Sequence, residues 1–126
     1  MLHLGLDLSR KRIEVCLICD QGELIGRFTA VPDRDGLYGL AQRVAVYGEP
    51  VRAVVESMTG ARFVHDELTA HGWEVLVADA QKVKGLAPLA CKTDKIDARV
   101  LGELSFRDLV PAISLPTFGL RSDLDR

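Results

Sequence analysis

No apolar stretch in this chain of 126 residues approaches the roughly 20 residues that a membrane-spanning helix needs. The first residues, Met1-Leu2-His3-Leu4-Gly5, have neither a basic leader region nor a small-residue cleavage site. No signal peptide is therefore expected, and a cytoplasmic location is. Cysteine is scarce: Cys16, Cys19 and Cys91 are an odd number without secretory context, which excludes a disulfide framework. Cys16 and Cys19 have the spacing of half a zinc site. They fall in an apparent strand, however, where residues three apart point to opposite faces, so buried thiols are expected instead. Neither sign of charge dominates. A net charge of −2 argues against a broadly basic nucleic-acid binder, while leaving room for a local patch. Internal repeats and low-complexity tracts are absent.

What is present fits one domain with a real core, since 48% of residues are hydrophobic. Leu2, Leu4, Leu6 and Leu8 alternate with His3, Gly5 and Asp7, the period of a strand. Arg10-Lys11 turns into a second strand, Asp20-Gln21-Gly22 makes a hairpin, and Glu23 to Ala30 is the third strand of an antiparallel meander. Asp33 or Asp35 can cap a helix with Leu37, Leu40, Ala41 and Val44 on one face. Val51 to Glu56 is nearly all apolar, as in a central strand covered on both sides. A second helix is expected from about Ala61 to His71, with Thr59 as cap and Val64 and Leu68 in the core. A fifth strand follows from Trp73 to Ala78. From Asp79 to Cys91 only a short helical turn near Gln81 to Lys84 is expected, ended by Pro88. Thr93 then caps a helix to about Phe106, and beyond Val110 no periodic element is read.

Right-handed crossovers place the fourth strand parallel to the first and the fifth parallel to the fourth. The expected fold is α/β: a ribonuclease-H-like mixed five-stranded sheet, three antiparallel then two parallel strands, flanked by helices. Asp7 and Glu56 then lie at neighbouring carboxyl ends of parallel strands, where such sheets place their sites.

Asp7 interrupts a strand otherwise made of Leu, His and Gly, and a charge there needs a partner or an ion. Glu56 stands where a central strand leaves the sheet for the polar Ser57-Met58-Thr59-Gly60 turn. Asp94 and Asp97 are three apart in an expected first helical turn, about 60° apart around its axis. Each of the four alone is open to a plainer reading, a turn starter or a helix-end charge favoured by the dipole. Together, carboxylates at strand ends and a helical pair suit hard divalent cations. Two such ions roughly 4 Å apart can activate a nucleophile and stabilise a leaving oxygen in phosphodiester chemistry. Lys82, Lys84, Lys92, Lys95 and Arg99 surround the pair, a local basic excess that suits a DNA or RNA backbone, or simply a solvated surface. His3 is expected to pack, and His65 and His71 to lie on a helix surface.

At Gly5-Leu6-Asp7-Leu8-Ser9, Val55-Glu56-Ser57-Met58-Thr59-Gly60 and Lys92-Thr93-Asp94-Lys95-Ile96-Asp97-Ala98-Arg99 the chain resembles the DEDD-type insertion-sequence transposases. That family includes the Piv-like site-specific DNA invertases. The basic Gln81-Lys82-Val83-Lys84 segment and the stretch from Leu109 to Pro116 fit as well. The resemblance implies a RuvC-like N-terminal domain whose Asp7, Glu56, Asp94 and Asp97 coordinate Mg²⁺, with Mn²⁺ as substitute. It implies cutting and rejoining of DNA strands during movement or inversion of a segment. The implied partners are DNA, an element-encoded guide RNA in some members, and further copies of the chain. Family members continue into a second domain carrying a nucleophilic serine, to which Ser57, Ser105, Ser114 and Ser122 do not correspond. Residues 1–109 are accordingly expected to be the metal-binding domain, and 110–126 a truncated linker. Competing expectations are a self-sufficient RuvC-like nuclease or resolvase, an actin-like or sugar-kinase ATPase fragment, and a non-catalytic nucleic-acid-binding remnant. The ATPase would need a second glycine-rich phosphate loop, which is not found.

Overall fold

Leucine at every second position from Leu2 to Leu8 builds the strand on which the molecule is assembled. In the computed structural model, which describes residues 1–90 and 96–115 (backbone alone for 87–90), this strand is β1, Leu2–Leu8. It is followed by β2 (Ile13–Ile18), β3 (Leu24–Ala30), α1 (Arg34–Ala45), β4 (Val51–Glu56) and α2 (Ala61–Ala70). Then come β5 (Glu74–Ala78), α3 (Ala80–Ala90), α4 (Ala98–Phe106) and β6 (Ala112–Ile113). The sheet order is β3-β2-β1-β4-β5-β6. Strands β1, β2 and β3 form the expected meander. Strand β4 is parallel to β1 and β5 parallel to β4, as the crossover rule requires.

The alternation divides the interior into two cores. Leu2, Leu4, Leu6, Ile13, Val15, Leu17, Val51, Ala53 and Val55 face one side and pack with Leu37, Leu40, Val44, Val64 and Leu68 of α1 and α2. Each fully buried leucine contributes about 1.5–3 kcal/mol. On the other side Val54 and Ala78 meet Val83 of α3 and Val100, Leu101 and Leu104 of α4. His3, Gly5 and Asp7 alternate with the leucines and therefore face α4. Among the described residues no helix is long and apolar enough to cross a membrane.

The structure departs from the sequence reading in several places. The sheet has six strands, because Ala112 and Ile113 pair antiparallel with Ala78 and Val77. A two-residue strand is too short to show a period. Helix α3 spans eleven residues rather than a single turn. Asp79 starts it by accepting the amides of Gln81 and Lys82 at 2.9 and 3.1 Å, and Pro88 is carried within it. Thr59 does not cap α2: the cap is Gly60, whose φ of 92° makes the left-handed turn that glycine adopts without strain. For α1 the cap is Asp33, which accepts the Gly36 amide at 2.7 Å. Helix α4 starts at Ala98, so Asp97 is its N-cap in extended conformation and not part of the first turn. The 60° helical argument for Asp94 and Asp97 therefore fails. Thr93 and Asp94 lie outside the described residues.

Helix α4 lies against β1 more closely than side chains normally allow. A Cβ on Gly5 would collide with the Ala98 carbonyl and come within 2.5 Å of the Gly102 amide nitrogen. A Cβ on Gly102 would meet the Ile18 side chain at 3.0 Å and the Gly5 nitrogen at 3.3 Å. At the other end of the contact, buried His3 and Ser105 share a hydrogen bond of 2.7 Å between Nδ1 and Oγ. The Gly5→Ala variant should lose about 1–3 kcal/mol of stability, the usual cost of forcing atoms into a packed interior. Gly102→Ala should be far milder, since a flexible Ile18 methyl can yield and alanine improves helix propensity by about 1 kcal/mol. Urea midpoints compare the two; equal midpoints would mean that α4 is not seated on the Gly5 backbone.

Candidate functional site

Strand register brings the acidic residues together. The last paired residues of β1 and β4 are Leu6 and Val55. One step further, at the same offset, Asp7 is level with Glu56 across strands about 4.8 Å apart. In the other direction Asp7 pairs with Glu14, and Glu14 pairs with Thr29. Glu56, Asp7, Glu14 and Thr29 thus form one row across β4, β1, β2 and β3. Gly5, Cys16 and Arg27 form the next row.

The N-terminus of α4 abuts this face. Asp97 Oδ1 accepts a hydrogen bond from the Val100 amide at 3.0 Å and, with Asp7, Asp97 lines a cavity of about 550 Å³. Ala98 and Arg99 form the same wall, and Glu14, Cys16, Arg27, Thr29 and Arg43 line the remainder. The positive end of the α4 dipole favours negative charge here.

The electrostatics record the crowding of carboxylates. Glu56 titrates above the ordinary glutamate value of 4.5, first because burial disfavours its charged form and second because Asp7 repels it. Glu14 is engaged by the Arg12 guanidinium at 3.1 Å. The Cys16 thiol is pushed up chiefly by burial; Asp97 adds to the rise, while Arg27 and Arg99 oppose it.

Three of the four predicted acidic residues, Asp7, Glu56 and Asp97, therefore come to one edge of the sheet. Asp94, Lys92 and Lys95 lie outside the described residues. Arg99 borders the cavity, whereas Lys82 and Lys84 are exposed on α3. Cys16 is buried as expected; Cys19 is partly exposed and donates to Gln21 at 3.2 Å. Glu14, Arg27 and Arg43 were not anticipated. For Glu14 the signal was present, since a two-residue turn at Arg10-Lys11 sets Asp7 opposite Glu14. Arg10 and Lys11 themselves are exposed at that turn, just beyond Asp7.

The carboxylates supply the hard oxygen donors that Mg²⁺ or Mn²⁺ prefers. Among the described residues no three His, Cys, Asp or Glu side chains are already arranged to hold one ion. The donors fit by kind and by side of the sheet, and a fourth carboxylate or a side-chain adjustment is needed to close the set.

The molecule is an α/β domain whose acidic residues stand at the carboxyl ends of adjacent parallel strands, where open α/β sheets place their ligand sites. The profile of the DEDD transposases of the IS110 type, described as transposase, matches residues 4–117. The chain belongs to that family, which carries a transposase-type function. No curated protein matches it.

In chelator, Glu56→Gln should raise the melting temperature near neutral pH. Because the folded pKa is raised, Glu56 favours the fold below its ordinary value and disfavours it as pH rises through the folded value. The gain should therefore vanish on acidification below 4.5. A gain independent of pH would assign the effect to something other than the Glu56 charge.

Proposed function

We propose that this chain is the metal-dependent catalytic domain of a DNA transposase or site-specific recombinase, with a ribonuclease-H-like (RuvC-like) sheet. The observation that carries the proposal is the placement of Asp7 and Glu56 side by side on β1 and β4, beneath the Asp97-capped end of α4. The whole arrangement lies inside the segment that matches the transposase family. Asp7, Glu56, Asp94 and Asp97 would hold Mg²⁺, with Mn²⁺ as substitute. When bound, the ion supplies charge stabilisation at the oxygens of a phosphodiester.

The chain's own residues have separate tasks. Asp7 and Glu56 present carboxylates at neighbouring positions on adjacent strands, where a bound cation would relieve their repulsion. Asp97 has one oxygen committed to the helix cap, which fixes the direction of the other. Lys82, Lys84, Lys92, Lys95 and Arg99 are assigned to the nucleic-acid backbone, which they attract and position without reading sequence. Rejoining of strands is assigned to a serine on a separate domain, with further copies of the chain and, in some members, a guide RNA as partners. The work takes place in the cytoplasm.

Calorimetric titration with Mn²⁺ tests the site. Asp7→Asn, Glu56→Gln and Asp97→Asn should each weaken binding by about tenfold or more, equivalent to about 1.4 kcal/mol. Asparagine caps helices as well as aspartate does, so Asp97→Asn should keep the melting temperature of the parent. Asp97→Ala should lose about 1 kcal/mol of stability in addition to the metal. If all the charge-removing variants bind Mn²⁺ like the parent, the ion sits elsewhere.

A further inference from the structure

The cavity beside Asp7 and Asp97 continues away from α3, towards the meander. Its lining includes three arginines from three different elements: Arg27 on β3, Arg43 on α1 and Arg99 on α4. All three are exposed, and none makes an ion pair with a described carboxylate. The carboxylate nearest to the meander, Glu14, is already engaged by Arg12 at 3.1 Å. Arg43 is held in place, with its guanidinium 4.6 Å from the centre of the Phe28 ring, an arrangement that orients the group and leaves its N–H edge for an anion. Arg27 pairs in register with Cys16 across β2 and β3, and both line the cavity together with Arg99.

An arginine fork matches phosphate oxygens in two-point fashion. From this cation-lined channel with carboxylates at its end, we infer that the cavity over β1–β3 is the track for one nucleic-acid strand. Its phosphates are gripped by Arg27, Arg43 and Arg99, so that the strand approaches the carboxylates from the meander side. The lysines of α3 lie on the opposite flank, so the two cationic groups would hold the strand before and after the acidic edge. The inference rests on the functional reading above and adds a path and a direction to it. The three arginines line one cavity only when β3, α1 and α4 are assembled, so chain proximity does not explain them.

The test is binding of a 20-nucleotide thymidine DNA strand and a 20-nucleotide uridine RNA strand, titrated in chelator over a series of salt concentrations. The variants are Arg27→Gln, Arg43→Gln and Arg99→Gln, singly and together. A single strand loses roughly 0.7 from the slope of log affinity against log salt for each phosphate contact removed, so the triple variant should lose about 2. Arg34→Gln makes the same charge change at a residue paired with Glu67 and outside the cavity, and should leave the slope intact. DNA and RNA should respond alike, because phosphate contacts ignore the sugar. A triple variant with the parental slope, a comparable loss in Arg34→Gln, or a loss confined to one sugar would overturn the track. In the first of these cases, binding by the parent together with an intact Mn²⁺ site would leave the functional reading standing. Failure of the parent to bind either strand would overturn both.

Discussion

The seating of α4 on β1 is the contact from which the site follows. Two glycines, Gly5 and Gly102, remove the side chains that would otherwise separate helix from strand. The His3–Ser105 hydrogen bond fixes the helix along the strand at its far end. From Ser105 back to Ala98, the first residue of α4, is seven helical steps, about 10.5 Å at 1.5 Å per residue, and the extended Asp97 lies one residue beyond. From His3 forward to Asp7 is four strand steps, about 13 Å at 3.3 Å per residue. Asp97 therefore arrives level with Asp7 through contacts in which neither carboxylate takes part. A glycine in the middle of a strand normally weakens it; here the loss is offset by the approach that it permits.

That approach concentrates negative charge in a half-buried place. Asp7, Glu56 and Glu14 stand in one cross-strand row, and like charges opposite one another destabilise a sheet. The protein answers in part: Arg12 engages Glu14, and the amide end of α4 favours an anion. Glu56 has no ion pair among the described residues, and its carboxyl is held upward by burial and by Asp7. Local rules broken in this way are expected where a site has to be ready for a ligand. The apolar strands around the row, β1, β4 and β5, carry the stability that makes such a concentration tolerable.

The meander, the parallel crossovers and the apolar faces of α1 and α2 were legible because each rests on a period of 2 or 3.6 residues. So were Asp7 and Glu56, as charges at the ends of apolar runs. Three features were not. Strand β6 is two residues long and is defined by its partner β5 rather than by its own pattern. Helix α3 continues through Pro88, a residue that ordinarily ends a helix, so the proline was a misleading stop signal. The start of α4 at Ala98, rather than just after Thr93, turned Asp97 from a helical residue into a cap; threonine and aspartate both cap helices, and spacing does not decide between them. Arg27 and Arg43 were invisible for a different reason. Each lies in an amphipathic element where an exposed cation is the ordinary expectation, and only the tertiary arrangement puts them beside Asp7 and Asp97.

The overall charge of −2 does not conflict with a polyanionic partner, because local groups decide what a phosphate meets. Arg27, Arg43 and Arg99 line the same cavity as Asp7, Asp97 and Glu14, the last of which is engaged by Arg12. At physiological salt the Debye length is about 8 Å, so a phosphate in the channel responds mainly to the nearest one or two side chains. Near Arg27 and Arg43 it is attracted. Beside the carboxylates a bound cation would extend that attraction to the acidic edge, so the metal and the strand of the proposals above would favour one another.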